Sequence, residues 1–533
     1  MKHFERLSVL LIPIVWSMGV QADDYYSSYY GGLLNSDDVA EYTSNGTLAN
    51  CTNVVSPCDS TEGRRIDGTC NNLNYPSKGA TRTPYLRILE AVYNHPSDTV
   101  FDPKLSEDGE ELTGARIVRT RLVADGRVED DMFTHCATHF AVFFATDITN
   151  TRDTTNYVSW RPFCCEEAGA SDPMCAPNLV PADDYVHRYS GIRCLNMTRP
   201  LTFQTSGCLP MTTTPLRIVD ATPLWDLSPV YGNTVEPGRR SNVNGTLAIE
   251  TVNGVDFPPA SGVNLLLGVN FFGIIFFWRF HNHIARKLLE VNQHWTDEQL
   301  FNTAREINIA SGSQIFYYEL MALLMGKLLM FDLMLRNQAR YEIFLIGTKA
   351  TKNNKIINLG LGGLQRSNDI MTNDLAKNRH SGFQSYIKYR AYCFGDNIAS
   401  FDDLKGIIEK ERIEALKDVY ANVADIDLLA GVWVEIFKEG SHVPPTFYCI
   451  VKDQLLHNIK SDRHWYEREK RPNAFTEAQL AEIRKVTGAR ILCDIGDSVT
   501  AIQPSVFKLP GEGNKIVDCS EIPDIDYTAW SDN

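Results

Sequence analysis

Thr222, Leu224, Asp226 and Ser228 stand at alternate positions, and an extended backbone sends such side chains to one side. Carboxylate and hydroxyl oxygens gathered in this way suit a hard cation of six to eight oxygen ligands. The same residue types build ordinary turns, and on composition alone the ordinary-turn reading prevails. A second candidate is His135-Cys136-Ala137-Thr138-His139. Two histidines at i and i+4 face one side of a helix and can share a metal. No Glu accompanies them and no third ligand is evident, so they are expected to be core or surface histidines. The chain has 13 cysteines, an odd number, so at least one thiol is free or bridges another chain.

The elements that must position these groups are helical. Apolar residues recur at helical spacing over 130–146, 263–291, 297–330, 401–421 and 476–487, and strand-like alternation is scarce. The expected class is mainly α, disulfide-bonded, with little β. The run 262–278, GVNLLLGVNFFGIIFFW, falls short of a comfortable membrane span, since it contains Asn264 and Asn270 and stops at Arg279. It is expected to be a core helix. Lys2 and Arg6, an apolar run from Leu7 to Val20 and the small residues of Val20-Gln21-Ala22 form a secretory signal over 1–22. Residues 23–57 are Tyr-rich at DDYYSSYYGG and read as a loose, glycosylated arm before one large domain, 58–533. Sequons at Asn45, Asn50, Asn196 and Asn244 fit export, as does the cysteine count. With 51 basic and 66 acidic side chains the net charge is -15, which argues against nucleic acid and anionic membrane as partners. No membrane span is expected in the mature chain.

Several blocks resemble, in order, the animal haem peroxidase family, including its secreted chorion-peroxidase-like and peroxinectin-like members. Asp67-Gly68-Thr69-Cys70-Asn71-Asn72 is similar to its DGTCNN, and Leu224 to Gly232 (LWDLSPVYG) to its LDxSxVYG. Arg279-Phe280-His281-Asn282 resembles REHN, and Trp295-Thr296-Asp297-Glu298-Gln299-Leu300-Phe301 resembles WxDExLF. Asp425-Ile426-Asp427-Leu428, Asp462-Arg463-His464-Trp465-Tyr466-Glu467 and Arg490-Ile491-Leu492-Cys493-Asp494 follow as IDL, DRFWYE and RVLCD. The resemblance spans about residues 58 to 510.

The resemblance implies a helical peroxidase domain with bridges Cys58–Cys70, Cys393–Cys449 and Cys493–Cys519, and two more among Cys164, Cys165, Cys175 and Cys194. The roles of Cys51, Cys136 and Cys208 stay open. It also implies a calcium site of Asp147, Thr222, Leu224 through its carbonyl, Asp226 and Ser228. The distal motif Gln-Phe-x-Asp-His-Asp is matched by Val142-Phe143-Phe144-Ala145-Thr146-Asp147, which keeps the Phe and the last Asp alone. Thr146 stands where the family has its proton-accepting His, and Ala145 where it has a haem-esterifying Asp. Counting back from Arg279, the distal Arg falls on Val263 and the second haem-ester acid on Leu266. Between Gly326 and Arg390 the chain has about half the family's spacing, and His380 is the sole histidine there; its Lys377-Asn378-Arg379-His380-Ser381-Gly382 resembles RxRDHG with the His displaced. No proximal iron ligand is found. Phe143 and Phe144, with Leu265, Leu266, Phe271 and Phe272, either fill the space that a lost cofactor would leave or were core residues throughout, as Phe143 is, since the family has Phe there too.

Two functions follow as expectations. The first is a secreted glycoprotein that binds calcium but not haem and acts as a catalytically inactive pseudoperoxidase, its partner an extracellular protein or matrix component. The second is an active haem peroxidase, using hydrogen peroxide on phenols or tyrosines through an incomplete haem site.

Overall fold

The computed structural model describes residues 57–84, 87–94, 100–123, 130–150, 164–234, 238–259, 268–326, 359–361, 364–366 and 369–532, without the side chains of 168, 170, 268–272, 359–361 and 364–366. The signal segment, most of the arm, Asn45, Asn50, Cys51, Val263, Leu265 and Leu266 lie outside these residues, as does most of the short stretch after Gly326.

Helices dominate, and two buried clusters divide them. The first is built on α2 (His135–Thr149), α4 (Gly268–Val291) and α5 (Asp297–Gln314), with α3 (Ser228–Tyr231) and the C-terminal α12 (Glu477–Ile483) and α13 (Gly488–Ile495) packed on them. The second gathers α1 (Ala115–Leu122), α7 (Ile370–His380), α8 (Tyr386–Phe394), α9 (Lys410–Lys417) and α10 (Leu428–Val434). A long helix, α11 (Pro445–Ser461), runs between them: Leu455 belongs to the first cluster and Ile450 to the second. Strands are two- or three-residue antiparallel pairs, among them β1 (Asn178–Leu179) with β2 (Cys194–Leu195), and β3 (Glu250–Val252) with β4 (Val255–Phe257).

Local chemistry explains the better-defined ends. Thr296 starts α5 with a capping box: its hydroxyl accepts from the Gln299 N–H at 3.3 Å, while Gln299 Oε1 accepts from the Thr296 N–H at 2.9 Å. Thr476 and Gln479 repeat the device on α12. The apolar run from 262 enters α4, where Ile274, Phe276, Phe277 and Trp278 are buried. Among the described residues no helix is long and apolar enough to cross a membrane.

Two helical runs differ from the sequence expectation. The run 297–330 follows α5 to Gln314, widens into a π turn over Ile315–Leu320 and ends with α6 (Met321–Met325). Gly326 stops it at φ +82°, where an added Cβ would lie 2.5 Å from the Gly440 carbonyl oxygen. The run 401–421 is not one helix: a 3-10 turn at Phe401–Leu404 is followed by Gly406 at φ +84° before α9 begins. Apolar periodicity survives such interruptions because both pieces bury the same side.

Disulfides join Cys58 to Cys70, Cys393 to Cys449 and Cys493 to Cys519, and the clustered four pair as Cys164–Cys175 and Cys165–Cys194. Cys208 is also bridged. Cys136 is a free thiol.

Candidate functional site

One helix, α2, carries Ala145 and Thr146 as well as the Asp147 carboxylate. Its buried stripe is Phe140, Phe143, Phe144, Asp147 and Ile148; its half-buried stripe includes Thr138, Val142, Ala145 and Thr146. The Thr146 hydroxyl donates to the Val142 carbonyl at 2.9 Å, one turn back in the same helix. Phe143 stacks on Phe277 at 5.4 Å between centroids, and Phe144 packs on Phe316 at 4.5 Å and Trp225 at 5.2 Å. These two rings form the joint between α2, α4 and the π turn. They are core residues, as expected of Phe143 from the family's own Phe at that position. Gly273 admits Phe143: a Cβ there would lie 2.4 Å from its ring.

Asp147, on the same buried stripe, enters a cradle made by the loop before α3. Leu227 adopts a left-handed φ of 58°, and such a kink aims successive N–H groups at one point. The Leu227 and Ser228 N–H groups donate to Asp147 at 3.0 and 2.7 Å, and the Ser228 hydroxyl donates at 2.6 Å. Asp147 is 0% exposed. Asp226 is 1% exposed; its Oδ1 accepts from the Thr222 hydroxyl at 2.5 Å, and its Oδ2 is buried without a hydrogen-bond partner. The Leu224 carbonyl accepts from the Asp226 N–H at 2.8 Å. The structure therefore brings together Asp147, Thr222, Leu224, Asp226 and Ser228.

Burial first, and then the neighbouring Asp226, push the Asp147 carboxyl well above the usual range. Burial likewise pushes Asp226 up to about 6, against the pull of Arg64, Thr222 and Arg305. Arg64 is itself bound to Asp462 at 2.8 Å, and Arg305 donates to the Arg64 carbonyl at 3.0 Å. Two buried carboxylates thus sit side by side, and neither arginine reaches the free oxygen of Asp226. A small dication would satisfy that oxygen and offset the repulsion, with Asp147, Asp226, Thr222, Ser228 and the Leu224 carbonyl as available donors.

The residues described around the distal position fit haem poorly. Peroxide cleavage needs an axial imidazole, a titrating distal base and a nearby cation. Thr146 supplies a hydroxyl already bonded within its helix. His380 is carried by α7 in the second cluster, where its Nδ1 accepts from Arg199 at 3.1 Å. Burial, with Arg199 and Arg379 adding, pushes it down to about 3. Among the described residues the one close group of three metal-ligating types is Cys58, Glu62 and Cys70, which includes neither His135 nor His139 and whose sulfurs are joined to each other.

Sequence reasoning missed the Leu227 kink and the Arg64–Asp462 pair below Asp226. No residue type announces the first. The second joins residues 398 positions apart, so only the order of the DGTCNN-like and DRFWYE-like blocks hinted at it. It also missed a buried chain in which Asn308 donates to the Tyr231 hydroxyl at 2.8 Å, Tyr231 to His281 Nδ1 at 2.9 Å, and His281 Nε2 to the Gly245 carbonyl at 2.9 Å. This places the tyrosine of the VYG-like block and the histidine of the REHN-like block in internal structure.

The model of the animal haem peroxidase family matches residues 63–360 and 345–507. The chain belongs to that family. A peroxidase of Drosophila melanogaster is 26% identical, with 90% of this chain and 84% of the relative covered. A human peroxidasin homologue is 26% identical over 99% of this chain but 43% of its own length, so the chain spans less than half of that relative. The chorion peroxidase of Drosophila melanogaster is 26% identical, with 88% and 70% covered. Among solved structures, Peroxidase A of Dictyostelium discoideum superposes with a TM-score of 0.63 at 18% identity, covering 84% of this chain and 100% of that one. A fatty acid alpha-dioxygenase of Oryza sativa does so with 0.58 at 15% identity, covering 88% and 92%.

Proposed function

We propose that this chain is a secreted, glycosylated pseudoperoxidase that holds calcium but not haem, and that it acts by binding an extracellular protein or matrix component. The observation that carries this reading is the contrast between adjacent residues. Thr146 has turned its hydroxyl back into the helix, while Asp147 keeps three hydrogen bonds to the loop and a carboxylate neighbour. Removal of one general acid-base group alone lowers rates by about 10² to 10⁴. Val263 and Leu266 in place of charged residues, and the short spacing after Gly326, support the same reading from the sequence. The family model also matches in two pieces, which meet within 345–360. Calcium would clamp α2 to the loop before α3, a structural role. Secretion is supported by the signal-like first 22 residues, the sequons and the bridged cysteines.

The second reading, a working haem peroxidase, is favoured by family membership and by the names of its relatives. The two separate in one experiment on protein secreted from haem-supplemented cells. The proposal expects no stoichiometric Soret absorbance after gel filtration and no peroxide-dependent oxidation of guaiacol. A retained Soret band with turnover overturns it in favour of the enzyme.

A further inference from the structure

The loop 180–193 between β1 and β2 is a compact excursion with a built interior and an exposed face. Its neck is closed by the two-residue ladder, by the Val180 N–H donating to the Arg193 carbonyl at 2.9 Å, and by Cys165–Cys194 beside it. Inside, Asp184 accepts from the Val186 and His187 N–H groups at 3.0 and 2.9 Å. Arg116 of α1 grips the same carboxylate with two nitrogens, at 2.7 and 3.1 Å. The guanidinium beside it is among the causes that hold Asp184 down to about 2, so this anchor stays charged at neutral pH. Compact loops fixed by their own side chains are frequently functional.

Outside, Tyr189 is 85% exposed, Leu179 at the neck is 74% exposed, and Tyr185 is also exposed. Arg188 lies over the Tyr189 ring at 4.7 Å, and Arg193 donates to the carbonyls of His187 and Ile192. Among the described residues neither arginine has a carboxylate partner, in a chain of net charge -15 where most buried arginines are paired. Tyrosine and arginine are the types that dominate binding energy at protein interfaces, and a ring held on a fixed loop loses little entropy on docking.

We propose that this loop face is a docking surface for an acidic, extended segment of another extracellular protein, with Arg188 and Arg193 meeting its carboxylates and Tyr189 and Leu179 its apolar side chains. This deepens the binding role proposed above and rests on it. A sulfated glycan would use the arginines but gain nothing from Leu179, which is 74% exposed at the neck. The polypeptide is therefore the occupant the surface favours.

The test uses the secreted full chain and immobilised synthetic peptides: one rich in Asp and Glu with two Leu, one with Asn and Gln in their place, and one Lys-rich. Binding of the acidic peptide alone, weakening as salt rises, is expected. Tyr189→Ala should weaken it by about tenfold or more, as a hot-spot truncation does, and Arg188→Glu with Arg193→Glu should abolish it. Lys388→Glu, an exposed charge on α8, should leave it unchanged, and unaltered secretion and circular dichroism show that the variants fold. No binding of the acidic peptide, equal binding of all three, or loss with Lys388→Glu overturns the proposal. So does binding to heparin in preference to the acidic peptide, or concentration-dependent dimerisation abolished by Arg188→Glu. A Soret band in the same preparation would sink the pseudoperoxidase reading while leaving the loop measurement to stand or fall separately.

Discussion

Asp226→Asn should reverse its effect on stability according to whether calcium is present. Without calcium, Asp226 sits 1% exposed beside Asp147, with one oxygen unsatisfied. Its folded pKa of about 6 lies above the ordinary 3.8, and each unit is worth about 1.4 kcal/mol. At neutral pH the charged form therefore costs the folded state about 3 kcal/mol. The sign follows from the raised value. The folded protein holds this proton more tightly than the unfolded chain, so the contribution is most favourable below pH 3.8 and is lost as pH rises through about 6. An amide keeps an oxygen to accept from Thr222 and removes the charge. In EGTA the variant should therefore melt at or above the parent at neutral pH, and its melting should vary less between pH 4 and pH 6, as order-of-magnitude bounds from the same shift.

With calcium the order should invert. A ligand at about 100 times its Kd stabilises the folded state by about 2.7 kcal/mol, and removing one of two anionic ligands forfeits most of that. The assay is scanning calorimetry of parent and variant at one scan rate, each in calcium and in EGTA. A parent whose midpoint is the same in both would refute the calcium site. A variant less stable than the parent in EGTA would refute the claim that the two carboxylates strain each other.

Other expectations follow from the same geometry. Phe144→Ala removes a ring packed on Trp225 and Phe316 and should destabilise by about 3 to 5 kcal/mol, measured as a denaturant midpoint. Glu319 on the π turn accepts from the Gly488 N–H at 3.0 Å, and burial pushes it up to about 7; Glu319→Gln should flatten the loss of stability as pH rises through 7, and an unchanged profile counts against this burial. In unreduced, denatured protein one thiol should titrate, Cys136. In the native state it should react slowly at neutral pH, since burial raises its pKa. Asn244 lies on an exposed turn at φ 53°, so Asn244→Gln should remove one glycan by mass; no shift would show that this sequon is unused.

Legibility in the sequence followed the range of the cause. The helical runs that begin near Asp297 and Thr476 were readable because their apolar spacing is local. The buried character of 274–278 was readable from an unbroken apolar run. The π turn at Ile315–Leu320 was not, because its apolar spacing continues that of α5 with one residue inserted. The cation-like donors at Thr222, Asp226 and Ser228 could be named from alternation, but the position of Asp147 came from the family resemblance. The Leu227 conformation that aims two N–H groups at Asp147 has no local signature, since leucine disfavours φ > 0. For Phe143 and Phe144, side-chain type says that a ring is buried, and only packing says against what.

The adjacency of Thr146 and Asp147 explains how one function could be lost and the other kept. Successive residues on a helix point about 100° apart, so one faces the half-buried stripe with Ala145 and Val142 while the next enters the first core. A change at Thr146 removes no hydrogen bond from the loop before α3, because that loop is held by Asp147 through Leu227 and Ser228. A change at Asp147 would leave three buried donors unsatisfied, at about 1 to 3 kcal/mol each. Stability therefore resists change at Asp147 whether or not peroxide chemistry is used, whereas only that chemistry would resist change at Thr146. On the pseudoperoxidase reading proposed above, a Thr beside a retained Asp147 is the pattern expected once the fold alone remains under constraint.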